Sequence, residues 1–95
     1  MKVHNITNLG QFDQLVAEEQ RHIDESQEQF EALGLNYNFT APDWEPAKAR
    51  HLFAAALAVR GEYRSYLLDK CNAALYCNAN DAHTSGLMVN IKMED

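Results

Sequence analysis

The chain has 95 residues, 46% hydrophobic and 23% charged, with four Gly, two Pro and a formal net charge of −6. That describes one ordinary soluble-type domain and excludes a collagen-like chain, a disulfide scaffold and a wholly disordered tail. The longest apolar run, Leu52 to Val59, has eight residues, far short of the roughly 20 that cross a bilayer. The acidic balance argues against wrapping nucleic acid with the whole surface, because phosphates demand Lys and Arg.

Met1 to Ile6 is short and partly β-branched, which predicts a strand. No apolar h-region follows Lys2, so no secretory signal is expected. Thr7 or Asn8 then offers a helix N-cap. From there Leu9, Phe12, Val16, Glu19, Ile23, Ser26, Phe30 and Leu33 alternate spacings of three and four. This is a heptad seam and predicts a helix over about 8–33. Gly34 supplies a left-handed cap where the seam ends.

Residues 34–45 form the connection. Leu35, Tyr37 and Phe39 alternate with Asn36, Asn38 and Thr40, the period of a short strand. Asp43 suits an N-cap and Pro46 a first helical turn. The second helix is predicted over about 46–77. Its stripe includes Ala49, Leu52, Phe53, Ala56, Leu57, Tyr63, Leu67 and Cys71. Gly61 lies inside it and marks a kink or a break. Residues 78–86 read as loop. Residues 87–93 alternate Leu87, Val89, Ile91 and Met93 on one face, a second strand.

The fold class predicted is therefore mainly α, with α+β as the alternative, in a single domain covering 1–95. Two long antiparallel helices form a hairpin, and the short terminal strands pair into a small sheet. A two-helix hairpin encloses little core. The leftover apolar surface predicts a homodimer, two hairpins making a four-helix bundle through Phe53, Ala56, Leu57, Tyr63 and Leu67.

The charge is unevenly placed. The first helix holds Asp13, Glu18, Glu19, Asp24, Glu25, Glu28 and Glu31 against Arg21 alone, while the rest of the chain balances. Most of these acids fall off the seam. Asp13, Glu18, Asp24, Glu25, Glu28 and Glu31 are the candidate partner-binding residues, since an unbalanced carboxylate stripe attracts a basic protein surface. A nucleic-acid-binding protein is one such partner, and direct nucleic-acid contact through this helix is not expected.

Glu19 and His22 form a Glu-x-x-His pair, the spacing that places two metal ligands on one helix face. They carry the alternative reading, a metal-binding bundle. The bundles that use this motif need two copies per site and the chain has one, so no cofactor is expected. A scaffold subunit is a third reading. Among the aromatics, Tyr37, Phe39 and Trp44 offer anchors beside the connection. Cys71 and Cys77 lie six apart, about 600° of helical rotation, and so neither bridge nor grip a metal. They fit a reducing cytoplasm. No phosphate loop, nucleophile elbow or Ser/His pairing is present, and the chain reads as non-enzymatic.

Overall fold

The computed structural model describes residues 2–36, 44–76 and 89–93. Its elements run β1 (Lys2–Asn5), α1 (Leu9–Ala32), α2 (Pro46–Leu57), α3 (Gly61–Ala73) and β2 (Val89–Lys92).

Helix α1 starts and stops where its sequence provides caps. Asn8 is extended, and its Oδ1 accepts the Gln11 N–H at 2.8 Å. Gln11 reaches back, its Oε1 accepting the Thr7 N–H at 2.7 Å. The first bond satisfies a donor that a helix start leaves orphaned, and the second ties the residue before the cap to the first turn. At the other end Gly34 takes φ 76°. The Gly34 N–H donates to Glu31 O and the Leu35 N–H to Phe30 O, both at 2.9 Å. This paired closure is the Schellman arrangement, and it needs the positive φ that glycine adopts without strain.

The second predicted helix is two helices. The chain leaves α2 at Ala58, passes through Val59 and an extended Arg60, and re-enters helix at Gly61 with φ 65°. A left-handed residue cannot continue a right-handed helix, so the break follows. Arg64 repairs part of the damage. Its Nε donates to the Ala56 carbonyl at 3.1 Å, satisfying an acceptor at the end of α2. Of the kink or break expected at Gly61 the chain takes the break, so the helix over 46–77 is α2 plus α3, and its end is corrected to Ala73. The expected two-helix hairpin becomes a three-helix arrangement in which α2 and α3 pack most extensively on each other and α1 lies on α2. The outline is elongated, 47 × 24 × 20 Å.

The core sits where the first half of α1 meets α2 and α3. Phe12 stacks on Phe53 with ring centroids 5.0 Å apart, and both are almost fully buried. Ala49, Ala56 and Cys71 have no exposed surface. Small side chains there let the α2 and α3 backbones approach, and the Cys71 thiol donates to the Ala49 carbonyl at 3.3 Å. Ile6, Leu15, Leu67, Leu68, Ala74, Leu75 and Ile91 complete the cluster. A smaller one joins Ile23 to Phe30 and Trp44.

The terminal strands pair as expected, and they run parallel, with Lys2 opposite Val89, Val3 opposite Asn90, His4 opposite Ile91 and Asn5 opposite Lys92. Parallel neighbours need a long crossover, and here the three helices supply it. Trp44 makes an antiparallel bridge with Leu75, and the Glu45 N–H donates to Ala74 O at 2.8 Å. These contacts tie the start of α2 to the end of α3. The strand expected at Leu35–Thr40, the Asp43 cap, Cys77 and the 78–86 loop fall wholly or largely outside the described residues.

Candidate functional site: the acidic helix

Helix α1 has two halves with different duties. Phe12 and Leu15 are buried, Phe12 on Phe53 of α2, while the second half carries most of the acids. Helical spacing decides which residues face out. The seam positions Phe12, Ile23 and Ser26 are buried, and Glu18, Asp24, Glu25, Glu28 and Glu31 are all exposed. The polar residue at seam position 26 is thus enclosed, only 7% exposed, and Glu19 at its seam position is half-buried.

The six candidate acids do not behave alike. Asp13 is taken by the fold itself. Arg50 on α2 donates from Nε to Oδ1 at 2.9 Å and from Nη2 to Oδ2 at 3.2 Å. The hydrogen bonds from Arg50 hold the Asp13 carboxyl below the ordinary carboxylate value. The pair lies at the surface, so it orients α1 on α2 more than it stabilises the fold. Glu25 is answered by Arg21 one turn earlier at 3.0 Å, an exposed helix pair worth only a few tenths of a kcal/mol. Asp24 accepts from the Gln20 amide at 3.2 Å and Glu31 from the Gln27 amide at 3.5 Å. These partners are neutral. Glu18, Asp24, Glu28 and Glu31 therefore keep their charge unanswered by any Lys or Arg among the described residues.

Two further contacts shape this surface. The Trp44 indole N–H donates to Gln20 Oε1 at 3.1 Å, so the residue expected as a partner anchor is fastened to α1. Glu18 also borders a groove of about 210 Å³ between β1 and α1, lined by His4, Ile6, Gln11, Gln14 and Leu15.

The residues expected at a dimer interface are distributed differently from the expectation. Phe53 and Ala56 are fully enclosed within one chain, Leu67 is 7% exposed, and Leu57 is half-buried. Their apolar surface is spent on α1 and α3 of the same molecule, because breaking the long helix at Gly61 folds its second half back onto the first. Only Tyr63 stays on the surface. It stacks on Tyr66 with centroids 6.3 Å apart, and the Lys70 ammonium lies 5.6 Å from the Tyr66 ring. Both tyrosines are more than half exposed.

Glu19 and His22 are half-buried on α1. Among the described residues no group of three or more His, Cys, Asp or Glu side chains is placed to hold a metal ion. Cys71 is a free, buried thiol, pushed up to about 12 by desolvation, and is unreactive in the folded state. No described helix is long and apolar enough to cross a membrane.

Sequence spacing located the exposed acids correctly and missed the Asp13–Arg50 pair. Those residues are 37 apart, and no local periodicity links them. The only available signal was that Arg50 lies on the polar side of the second helix. Compared with protein-family models, curated proteins and solved structures, the chain matches none.

Proposed function

We propose that this protein is a non-enzymatic interaction module in which the second half of α1 offers carboxylates to a basic protein partner. One observation carries the reading. Where the fold needs an acid, it neutralises one, as Arg50 does at Asp13. Asp24, Glu28 and Glu31 project from the same helix with no Lys or Arg partner among the described residues. Charges held on one side of a rigid rod, within a Debye length of one another, act together on an approaching cationic surface. The role is regulation or inhibition of that partner by occupying its basic surface, and a nucleic-acid-binding protein is the natural target class. The free, buried Cys71 suits a reducing compartment such as the cytoplasm.

The test immobilises the wild-type chain and the triple variant Asp24→Lys, Glu28→Lys, Glu31→Lys, and compares the proteins each retains from its own host's extract across a salt series. A basic protein held by the wild type, released with rising salt and absent from the variant supports the reading. Equal retention by both chains removes it.

A further inference from the structure

The two edges of the small sheet are finished differently. On the β2 side, the Asn72 side chain pairs with the outward groups of Ile91. The Ile91 N–H donates to Asn72 Oδ1 at 2.8 Å, and the Asn72 amide donates to Ile91 O at 3.1 Å. A side-chain amide thus stands in for a neighbouring strand. On the β1 side nothing equivalent exists among the described residues. The Ile6 N–H donates to Lys92 O at 3.1 Å, so Ile6 faces β2. Successive residues of a strand turn their backbone groups to opposite sides, so His4 also faces β2, and Val3 and Asn5 face away. The Asn72 contacts check this parity, because they require Ile91 to face away from β1, as Lys92 facing it implies. The outward N–H and C=O groups of Val3 and Asn5 pair with no described residue, and both residues are exposed. The edge carries no proline. Folded proteins usually blunt such an edge, and one left open is a template for another strand.

We propose that β1 is the pairing edge of a homodimer, in which a second copy lays its own β1 antiparallel on this one, about a two-fold axis at His4. The outward parity selects that register. Directly opposed residues in an antiparallel pair exchange both hydrogen bonds only where both face the partner strand. With the axis at His4, Val3 of each copy meets Asn5 of the other, which uses every outward group and makes four main-chain hydrogen bonds. Among the described residues an axis at Val3 or at Asn5 uses half of them, since Asn5 then falls opposite position 1, outside the described residues, or Val3 falls opposite Thr7, whose N–H already donates to Gln11. The result is one four-stranded sheet in the order β2–β1–β1–β2, with Asn72 pairing the outward groups of Ile91 on each outer strand. The contact is isologous, as a closed dimer requires.

Charge favours this occupant. The same register sets Lys2 of the second copy opposite Ile6, which lines the groove between β1 and α1. The groove has an apolar floor in Ile6 and Leu15, and Glu18 stands at it as a carboxylate with no Lys or Arg partner among the described residues. A lysine position of each copy thus falls, along the backbone, across from the groove at which the other's Glu18 stands. The interface is small, and a weak, concentration-dependent dimer is expected. This inference is separate from the reading of α1, since it uses none of Asp24, Glu28 or Glu31.

Sedimentation of the full chain up to about 1 mM decides it. The wild type should show a monomer–dimer equilibrium, and amide shifts that grow with concentration should centre on Val3 to Ile6. Val3→Pro removes an outward donor without touching the ladder to β2. It should weaken the dimer about tenfold or more while circular dichroism stays unchanged. Lys2→Glu and Glu18→Lys should each weaken it, and the double swap should restore it, which keeps the test valid should the proline variant fold poorly. A strict monomer at the highest concentration overturns the proposal. So does a dimer that survives both the folded proline variant and the charge reversals, since another face must then hold it. A monomeric Val3→Pro chain that still binds a basic partner leaves the α1 reading standing on its own.

Discussion

The α2–α3 pair and the second half of α1 come from one short chain and are built on opposite rules. Between α2 and α3 the inward positions are small, aromatic or leucine, and Ala49, Phe53, Ala56 and Cys71 are completely enclosed. Along the second half of α1 the inward stripe narrows to Ile23 and Ser26, and the remaining surface is acidic. The first region holds its shape by packing. The second is held by caps at both ends of its helix, by the Trp44–Gln20 hydrogen bond and by a thin apolar seam. A region with little burial tolerates substitution, and that freedom is what a recognition surface needs. The difference teaches where stability and where binding should respond to mutation.

The largest effect should come from the stacked ring pair. Phe53→Ala should cost about 3–5 kcal/mol of unfolding free energy, because the cavity beneath Phe12 cannot collapse. Chemical denaturation measures it, and a loss below about 1 kcal/mol would mean that the packed region is not the stabilising one. Next comes the break between α2 and α3. Gly61→Ala should cost about 1–2 kcal/mol, since alanine pays for the left-handed φ although no atom obstructs its Cβ. A stabilised variant would show instead that the chain prefers one continuous helix there. Asn8→Ala, which removes the cap of α1, should cost about 1 kcal/mol.

Smaller still is the pH response of the joint between the two regions. Asp13 titrates below its ordinary value because Arg50 hydrogen-bonds the charged form. Its contribution is therefore present above the unfolded carboxylate value and is lost as pH falls through the lower folded one. Wild-type stability should fall more steeply than that of Asp13→Asn over that acidic window, and parallel curves would show that the pair does not join the halves. The smallest stability effect belongs to the acidic surface. Glu28→Lys should change unfolding free energy by less than about 0.5 kcal/mol, while weakening capture of a basic partner and flattening its salt dependence. A large loss of stability there would place Glu28 in the structural region.

The chain's own sequence is informative wherever one local rule decides. Asn8 and Gly34 bracket α1 because a short polar side chain caps a helix start and only glycine takes a positive φ at no cost. The three-four spacing set which acids of α1 face outward. The alternation from Leu87 to Met93 foretold that Ile91 points inward, as its near-complete burial shows. Glycine at position 61 announced a disturbance in the second helix without saying which kind, since a kink and a reversal begin with the same residue.

What tertiary structure decided is every pairing between distant positions. Once Gly61 turns left-handed, α3 folds against α2, and Phe53, Ala56 and Leu67, which sequence alone assigns to a second copy, are consumed within the chain. Parallel pairing of β1 with β2, Arg50 on Asp13 and Asn72 on Ile91 all join residues whose separation no period reports. Helix caps and faces are properties of a few consecutive residues and are legible in them. Which apolar stripe meets which depends on how the whole chain closes, and only the closed chain shows it.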